Sequence, residues 1–176
     1  MNEIKYESMD DDDIKFYLPN AKILKYNQLK KYKNIEQLLK KHGDYIIILY
    51  PVSSELSGHW VSLNLYNPNI IEYFDSYGEK PDVPFSWTSS NFRNNKRYLT
   101  ELLNKTKLRI NYNSISFQSK RDKEISTCGA FVVFRILTLK EYNADLNENN
   151  KMLQTLKEIN TNKSYDDIVV DFINHR

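Results

Sequence analysis

The chain has 176 residues, of which 40% are hydrophobic, 27% charged and 13% aromatic, with a formal net charge of +2. Such a mix is too aromatic for a disordered segment, and the charge is too slight to argue by itself for a nucleic-acid partner. Its single cysteine, Cys128, rules out a disulfide-stapled domain, and no apolar run approaches the roughly 18 residues of a membrane span.

The opening MNEIKYESMDDDD has neither the apolar core nor the cleavage site of a signal peptide. The expectation is therefore a soluble monomer with one domain over residues 1–176. The acidic run Asp10 to Asp13 reads as solvated surface at a helix start, and residues 9–18 suit a short helix stopped by Pro19. NIEQLLKK (34–41) suggests a second short helix ended by Gly43, close to a small basic cluster, Lys30, Lys31, Lys33, Lys40 and Lys41. DYIIILYPV (44–52) is a buried strand by composition. HWVSLNLY (59–66) alternates, with His59, Val61, Leu63 and Leu65 on one face. Asn67-Pro68-Asn69 signals a turn flanked by Tyr66 and Ile70, and IIEYFDSY (70–77) returns as the second arm of a hairpin. Residues 78–84 form a loop.

Residues 90–105 carry Phe92, Leu99, Leu102 and Leu103 at helical spacing, and 108–118 read as extended. From Cys128 the run CGAFVVFRILTLKEYN is apolar nearly all round, which predicts a central, buried helix. Two further helices follow, over 146–160 and 164–174, the second opening on a capping-box-like Ser164-Tyr165-Asp166-Asp167. Strands come in a block rather than alternating with helices, so the fold class is α+β.

A lone cysteine in an apolar stretch is ordinarily a small buried hydrophobe. Three features set Cys128 apart. Thr127 can serve as N-cap, which puts Cys128 in the first turn, where free N–H groups and the helix dipole favour a thiolate. Gly129 then permits close approach by a substrate backbone. A thiol that ionises near 8.5 also needs a base. Of the three histidines, His175 is penultimate and His42 sits in a Lys-rich helix end, whereas His59 opens a strand after the Ser57-Gly58 loop. A catalytic imidazole needs a third group to set its tautomer, and the hairpin brings Asp75 back toward His59. Asp75 taken alone would be an ordinary turn residue. The oxyanion of acyl transfer calls for donors, for which Gln118 and the Cys128 N–H are the candidates. Three of the four glycines, Gly58, Gly78 and Gly129, lie beside these residues.

Gly58-His59-Trp60, Phe74-Asp75-Ser76-Tyr77-Gly78, Gln118 and Thr127-Cys128-Gly129, in that order, resemble the adenovirus endopeptidase and SUMO-protease superfamily. The resemblance covers roughly residues 40–140, and it is nearest to the maturation proteases of adenovirus-like and virophage-like double-jelly-roll viruses. It implies a cysteine protease fold related to papain's, with a central mixed sheet, a buried helix bearing the nucleophile at its N-terminus, and a helical C-terminal part. It implies Cys128 as nucleophile, His59 as base, Asp75 as orienting acid and Gln118 as oxyanion donor, with Trp60 and Gly129 beside the substrate. The charged insert SKRDKEIST makes the Gln118 to Cys128 interval longer than is usual in that superfamily.

The activity so implied is cleavage after Gly (Gly-Gly or Gly-small) in viral capsid precursors, in the virion and host cytoplasm, without cofactor, metal or membrane. A noncovalent peptide or DNA is the conceivable activator, since no second cysteine exists for a disulfide-linked one. The rival readings are a deSUMOylase or deubiquitinase-like isopeptidase, an acyltransferase with the same triad, and a binding module with a decayed site.

Overall fold

The computed structural model describes residues 7–52, 58–87, 96–119 and 126–176. Strands β2 (Tyr45–Pro51), β3 (Gly58–Asn67) and β4 (Ile70–Asp75) form an antiparallel meander at the centre of a five-stranded sheet. Short edge strands β1 (Lys22–Lys25) and β5 (Arg109–Tyr112) pair in parallel with β2 and β4, so the sheet is mixed and its order follows the chain. The helices are α1 (Asp11–Tyr17), α2 (Tyr98–Lys105), α3 (Cys128–Tyr142), α4 (Leu146–Ile159) and α5 (Tyr165–Asn174). The α+β class and the helical C-terminal part are thus as expected.

Both faces of the sheet are covered, which is why β2 is apolar throughout rather than alternating. Ile47 and Leu49 enter one core with α1, α3, α4 and α5. Ile46, Ile48 and Tyr50 enter the other, beneath α2 and two 3-10 turns, Tyr26–Lys31 and Ile35–Gln37. α3 is buried along nearly its whole length, as its all-round apolar surface requires. Its one charged residue in that stretch, Arg135, is also buried and pairs with Glu72 of β4 at 2.5 Å.

The predicted helix over 34–41 shrinks to the 3-10 turn Ile35–Gln37. The N–H groups of Lys40 and Lys41 turn instead to the Asp44 carboxylate, at 2.8 and 3.0 Å, and Asp44 leads straight into β2. β1 and the turn after it had no sequence signal, because four residues that pair in parallel with a later strand carry no local pattern. Of the predicted 90–105 helix, residues 98–105 are helical, while 90–95 lie outside the described residues, as do Ser57 and most of the charged insert before Thr127. Asp10 and Ser164 cap α1 and α5, each in a capping box closed by Asp at the fourth position.

Candidate active site

The hairpin places His59. Its turn is closed by Asn67 opposite Ile70, rather than by Tyr66, and Asn67 Oδ1 accepts from the Asn69 N–H at 2.9 Å. Continued unbroken from that pair, the ladder would set Asp75 opposite Ser62, on the face that carries Trp60. A bulge between Leu65 and Asn67 absorbs Tyr66, so Leu65 stands opposite Ile71 and Val61 opposite Asp75. Opposed residues share a face, and His59 lies on that face two positions from Val61. One bulged residue therefore turns the Asp75 carboxylate toward the imidazole. His59 Nε2 and Asp75 Oδ1 are 3.0 Å apart, and both side chains are buried. The Tyr77 N–H donates to the same Oδ1 at 2.7 Å. Asp75 Oδ2 is buried and has no hydrogen-bond partner among the described residues.

Cys128 opens α3, as predicted, with its thiol among the free N–H groups of the first turn. The Cys128 thiol donates to the Gly58 carbonyl oxygen at 3.8 Å, and its sulfur lies close enough to the His59 ring to raise that ring's pKa. Nε2 is taken by Asp75, so Nδ1 is the ring nitrogen left for a further partner. Gly58 lets β3 approach β2 at this end, since a Cβ there would sit 1.8 Å from the Tyr50 carbonyl oxygen. Burial of the ring pulls the His59 pKa down. The Asp75 carboxylate and the Cys128 sulfur, each by charge and by hydrogen bond, outweigh burial and raise it from 6.5 to about 10.

Thr127 holds the N-cap position but makes no side-chain cap; its hydroxyl donates to the buried Asp166 of α5 instead. Gln118 is buried, and its amide is fixed from behind. Ser76 Oγ donates to Gln118 Oε1 at 2.7 Å, and the Ser76 carbonyl accepts from the Phe117 and Gln118 N–H groups at 2.9 and 3.0 Å. Ser76 follows Asp75 directly, so the end of β4 orients the imidazole with one residue and the glutamine with the next. Asn113 braces that end, donating to the Asp75 carbonyl at 2.7 Å and to the Ile115 carbonyl at 3.0 Å. Gly78, at φ +70, completes the turn where a Cβ would strike the Ile115 backbone at 2.8 Å. Neither Ser76 nor Asn113 was anticipated, since Gln118 and Asp75, the residues they hold, lie about forty positions away in sequence.

Two expected residues lie elsewhere. Trp60 is fully buried on the opposite face of β3 from His59, and its indole N–H donates to the Met9 carbonyl at 2.8 Å. It is core and does not reach a substrate. Gly129 admits no substrate backbone either. A Cβ there would meet Met9 Cβ at 2.9 Å and Sδ at 3.0 Å, so its room is used by the segment before α1. The aromatic surfaces against the imidazole are Tyr77, stacked at 4.9 Å, and Trp87, edge-on at 5.4 Å. Trp87 is 37% exposed and is the solvent-facing side of the site. Its loop is anchored by Asp82, which accepts hydrogen bonds from the Tyr26 and Tyr50 hydroxyls at 2.7 and 3.1 Å and from the Thr100 N–H at 2.9 Å. His42 packs on Tyr66, and His175 bonds the Asp171 carbonyl, which leaves His59 as the histidine at Cys128. Among the described residues no helix is long and apolar enough to cross a membrane, and no group of three or more His, Cys, Asp or Glu residues could hold a metal ion.

The chain is 34% identical over 145 residues to "Uncharacterized protein V9" of Sputnik virophage, a match spanning 78% of this chain and 81% of the relative. Among solved structures it resembles the central domain of the uncharacterized Lpg1148 protein from Legionella pneumophila, with a TM-score of 0.52 and 22% identity over 96% of this chain and 95% of that one. That likeness is one of fold. No protein-family model matches the chain.

Proposed function

The chain belongs to the family of the Sputnik virophage protein V9, and from that premise and the site geometry we propose that it is a cysteine endopeptidase acting on precursor proteins of a virus particle. The observation that carries the reading is the buried cluster: Asp75 Oδ1 at 3.0 Å from His59 Nε2, with a thiol at a helix start near enough to shift the imidazole's pKa.

In the proposed reaction His59 takes the Cys128 proton through Nδ1 while Asp75 holds the tautomer and stabilises the imidazolium. The sulfur attacks the scissile carbonyl, and the carbonyl π electrons move to oxygen. The Cys128 N–H and the Gln118 amide NH2 stabilise that oxyanion. His59 then protonates the leaving amine as the C–N bond breaks, and water cleaves the thioester and restores the thiol. The anchored Gln118 Oε1 supports its part, because a carbonyl end held by Ser76 leaves the NH2 end for the site.

The superfamily resemblance adds cleavage after glycine, capsid precursors as substrates, and the virion and host cytoplasm as the setting; the relative adds a virophage as the organism of a family member. With one cysteine in the chain, any activating peptide or DNA acts noncovalently.

The test is incubation with the precursor proteins of the virus particle, with new termini read by mass spectrometry. Cuts after glycine are expected, absent with Cys128→Ala or His59→Ala and slowed on the order of 100-fold with Gln118→Ala. Unchanged cutting by Cys128→Ala sinks the reading. A ubiquitin-like activity probe that labels Cys128 while the precursors stay whole replaces the endopeptidase with an isopeptidase.

A further inference from the structure

One buried carboxylate at the site has no part in the chemistry so far. Asp166 lies in the first turn of α5, where the helix dipole offsets part of the cost of burying its charge. Its Oδ1 accepts from the Thr127 hydroxyl, and its Oδ2 is 3.4 Å from the Ser119 N–H. Thr127 immediately precedes Cys128, and Ser119 immediately follows Gln118. A single carboxylate thus holds the side chain of the residue before the nucleophile and the backbone N–H of the residue after the oxyanion amide. The gross path of the Gln118 segment has separate support, since Phe117 packs on Phe131 at 6.5 Å and on Tyr165 at 5.1 Å. What remains for Asp166 is the fine spacing.

We propose that Asp166 is a positioning residue that sets the distance between the Gln118 amide and Cys128, and so the strength of the oxyanion site. The inference rests on the reading of Cys128 as nucleophile. It goes beyond that reading in assigning a fourth element, α5, to the machinery. A donor misplaced by even 1 Å loses much of its effect on a developing charge, whereas the thiolate next door is untouched.

Two reactions of Cys128 separate these consequences. Alkylation by iodoacetamide forms the C–S bond as iodide leaves, and no oxyanion arises. Acylation by p-nitrophenyl acetate forms the C–S bond with the π electrons displaced onto oxygen, and collapse expels p-nitrophenolate. Asp166→Asn keeps the size but offers one acceptor oxygen instead of two and turns an NH2 toward a donor. Acylation is expected to slow roughly 10-fold or more, with alkylation within about twofold of wild type. Thr127→Val should repeat that split, and Thr127→Ser, which keeps the hydroxyl, should abolish it. Adding Asp166→Asn to Gln118→Ala should slow acylation little further, since both act through one amide.

Acylation at the wild-type rate in Asp166→Asn overturns the inference. So does an equal fall of both reactions in Asp166→Asn and Thr127→Val, which would mark a merely structural contact. A wild-type Cys128 that meets both reagents no faster than free cysteine overturns the thiol-hydrolase reading, and this inference with it. Fast wild-type acylation that Asp166→Asn leaves intact overturns this inference alone.

Discussion

Strand β4 carries two buried carboxylates, Glu72 and Asp75, on opposite faces of the sheet, and their surroundings differ in kind. Glu72 lies under α3. Its Oε2 meets Arg135 Nη2 at 2.5 Å and the Asn64 amide at 3.1 Å, and its Oε1 accepts from the Leu146 N–H at 2.8 Å. Arg135 goes on to donate to the Ala144 carbonyl at 3.1 Å. Both carboxylate oxygens are used, and the partner is a cation that does not titrate in water's pH range. Asp75 uses one oxygen, for the imidazole and the Tyr77 N–H, and leaves the other buried without a partner among the described residues. Its partner can lose its charge. A carboxylate with both oxygens used, set against a guanidinium, serves the fold. A pair with unused acceptor capacity, a titratable ring and a thiol beyond it is suited to moving a proton.

Equal treatment of the two carboxylates tests that contrast most directly. Asp75→Asn should lower turnover per folded molecule on the order of 1,000- to 10,000-fold through the wrong His59 tautomer, with a small change in thermal midpoint. Peptide-cleavage kinetics beside a melting curve would read both, and a large loss of stability with intact turnover would reverse the assignment. Glu72→Gln should do the opposite: roughly 3–5 kcal/mol of stability lost by denaturant titration, because Arg135 is left charged and buried, with turnover of the folded fraction kept. Replacing both partners, Glu72→Leu with Arg135→Met, should recover most of that loss.

A third expectation concerns pH. The His59 pKa is raised above its unfolded value, so the stability it contributes is complete below about 6.5 and is lost as pH climbs through about 10. The alkaline limb of the pH–rate profile should fall in the same range. In Asp75→Asn burial is no longer outweighed by the carboxylate, so the limb should move down by at least about one unit. A limb that stays in place would show that Asp75 does not set the ring's charge. In His59→Gln the alkaline loss of thermal midpoint should shrink.

The smallest effect should fall on the strap before α1. Gly129→Ala adds a methyl group 2.9 Å from Met9 Cβ, while the Met9 carbonyl is held by Trp60. The clash exceeds the gain in helix propensity, for a net loss of about 1 kcal/mol in a denaturant titration. A stabilised variant would show that the strap yields.

Much of this was legible in the chain itself. The buried helix α3 follows from fifteen residues with no polar stripe, the central strands from their β-branched runs, and the starts of α1 and α5 from Asp10 and Ser164 with Asp three positions on. His59 and Asp75 were found because a hairpin joins neighbours in sequence. Trp60 and Gly129 were misread for a common reason. Each borders a site residue in sequence, but adjacent strand residues face opposite ways, and the space beside a glycine can be filled from anywhere, here by Met9.

Local pattern alone determined the α+β class, the hairpin and the thiol at a helix start, since periodicity, capping and turn chemistry act over a few residues. Only the tertiary structure decided which face Asp75 takes, through the Tyr66 bulge. It alone decided that Ser76 and Asp166 hold Gln118 and Thr127, that Tyr77 and Trp87 enclose the imidazole, and that Glu72 is matched by Arg135. Those partners lie far apart in the chain, and burial, by denying polar groups water, forces each to find the one that the fold brings near.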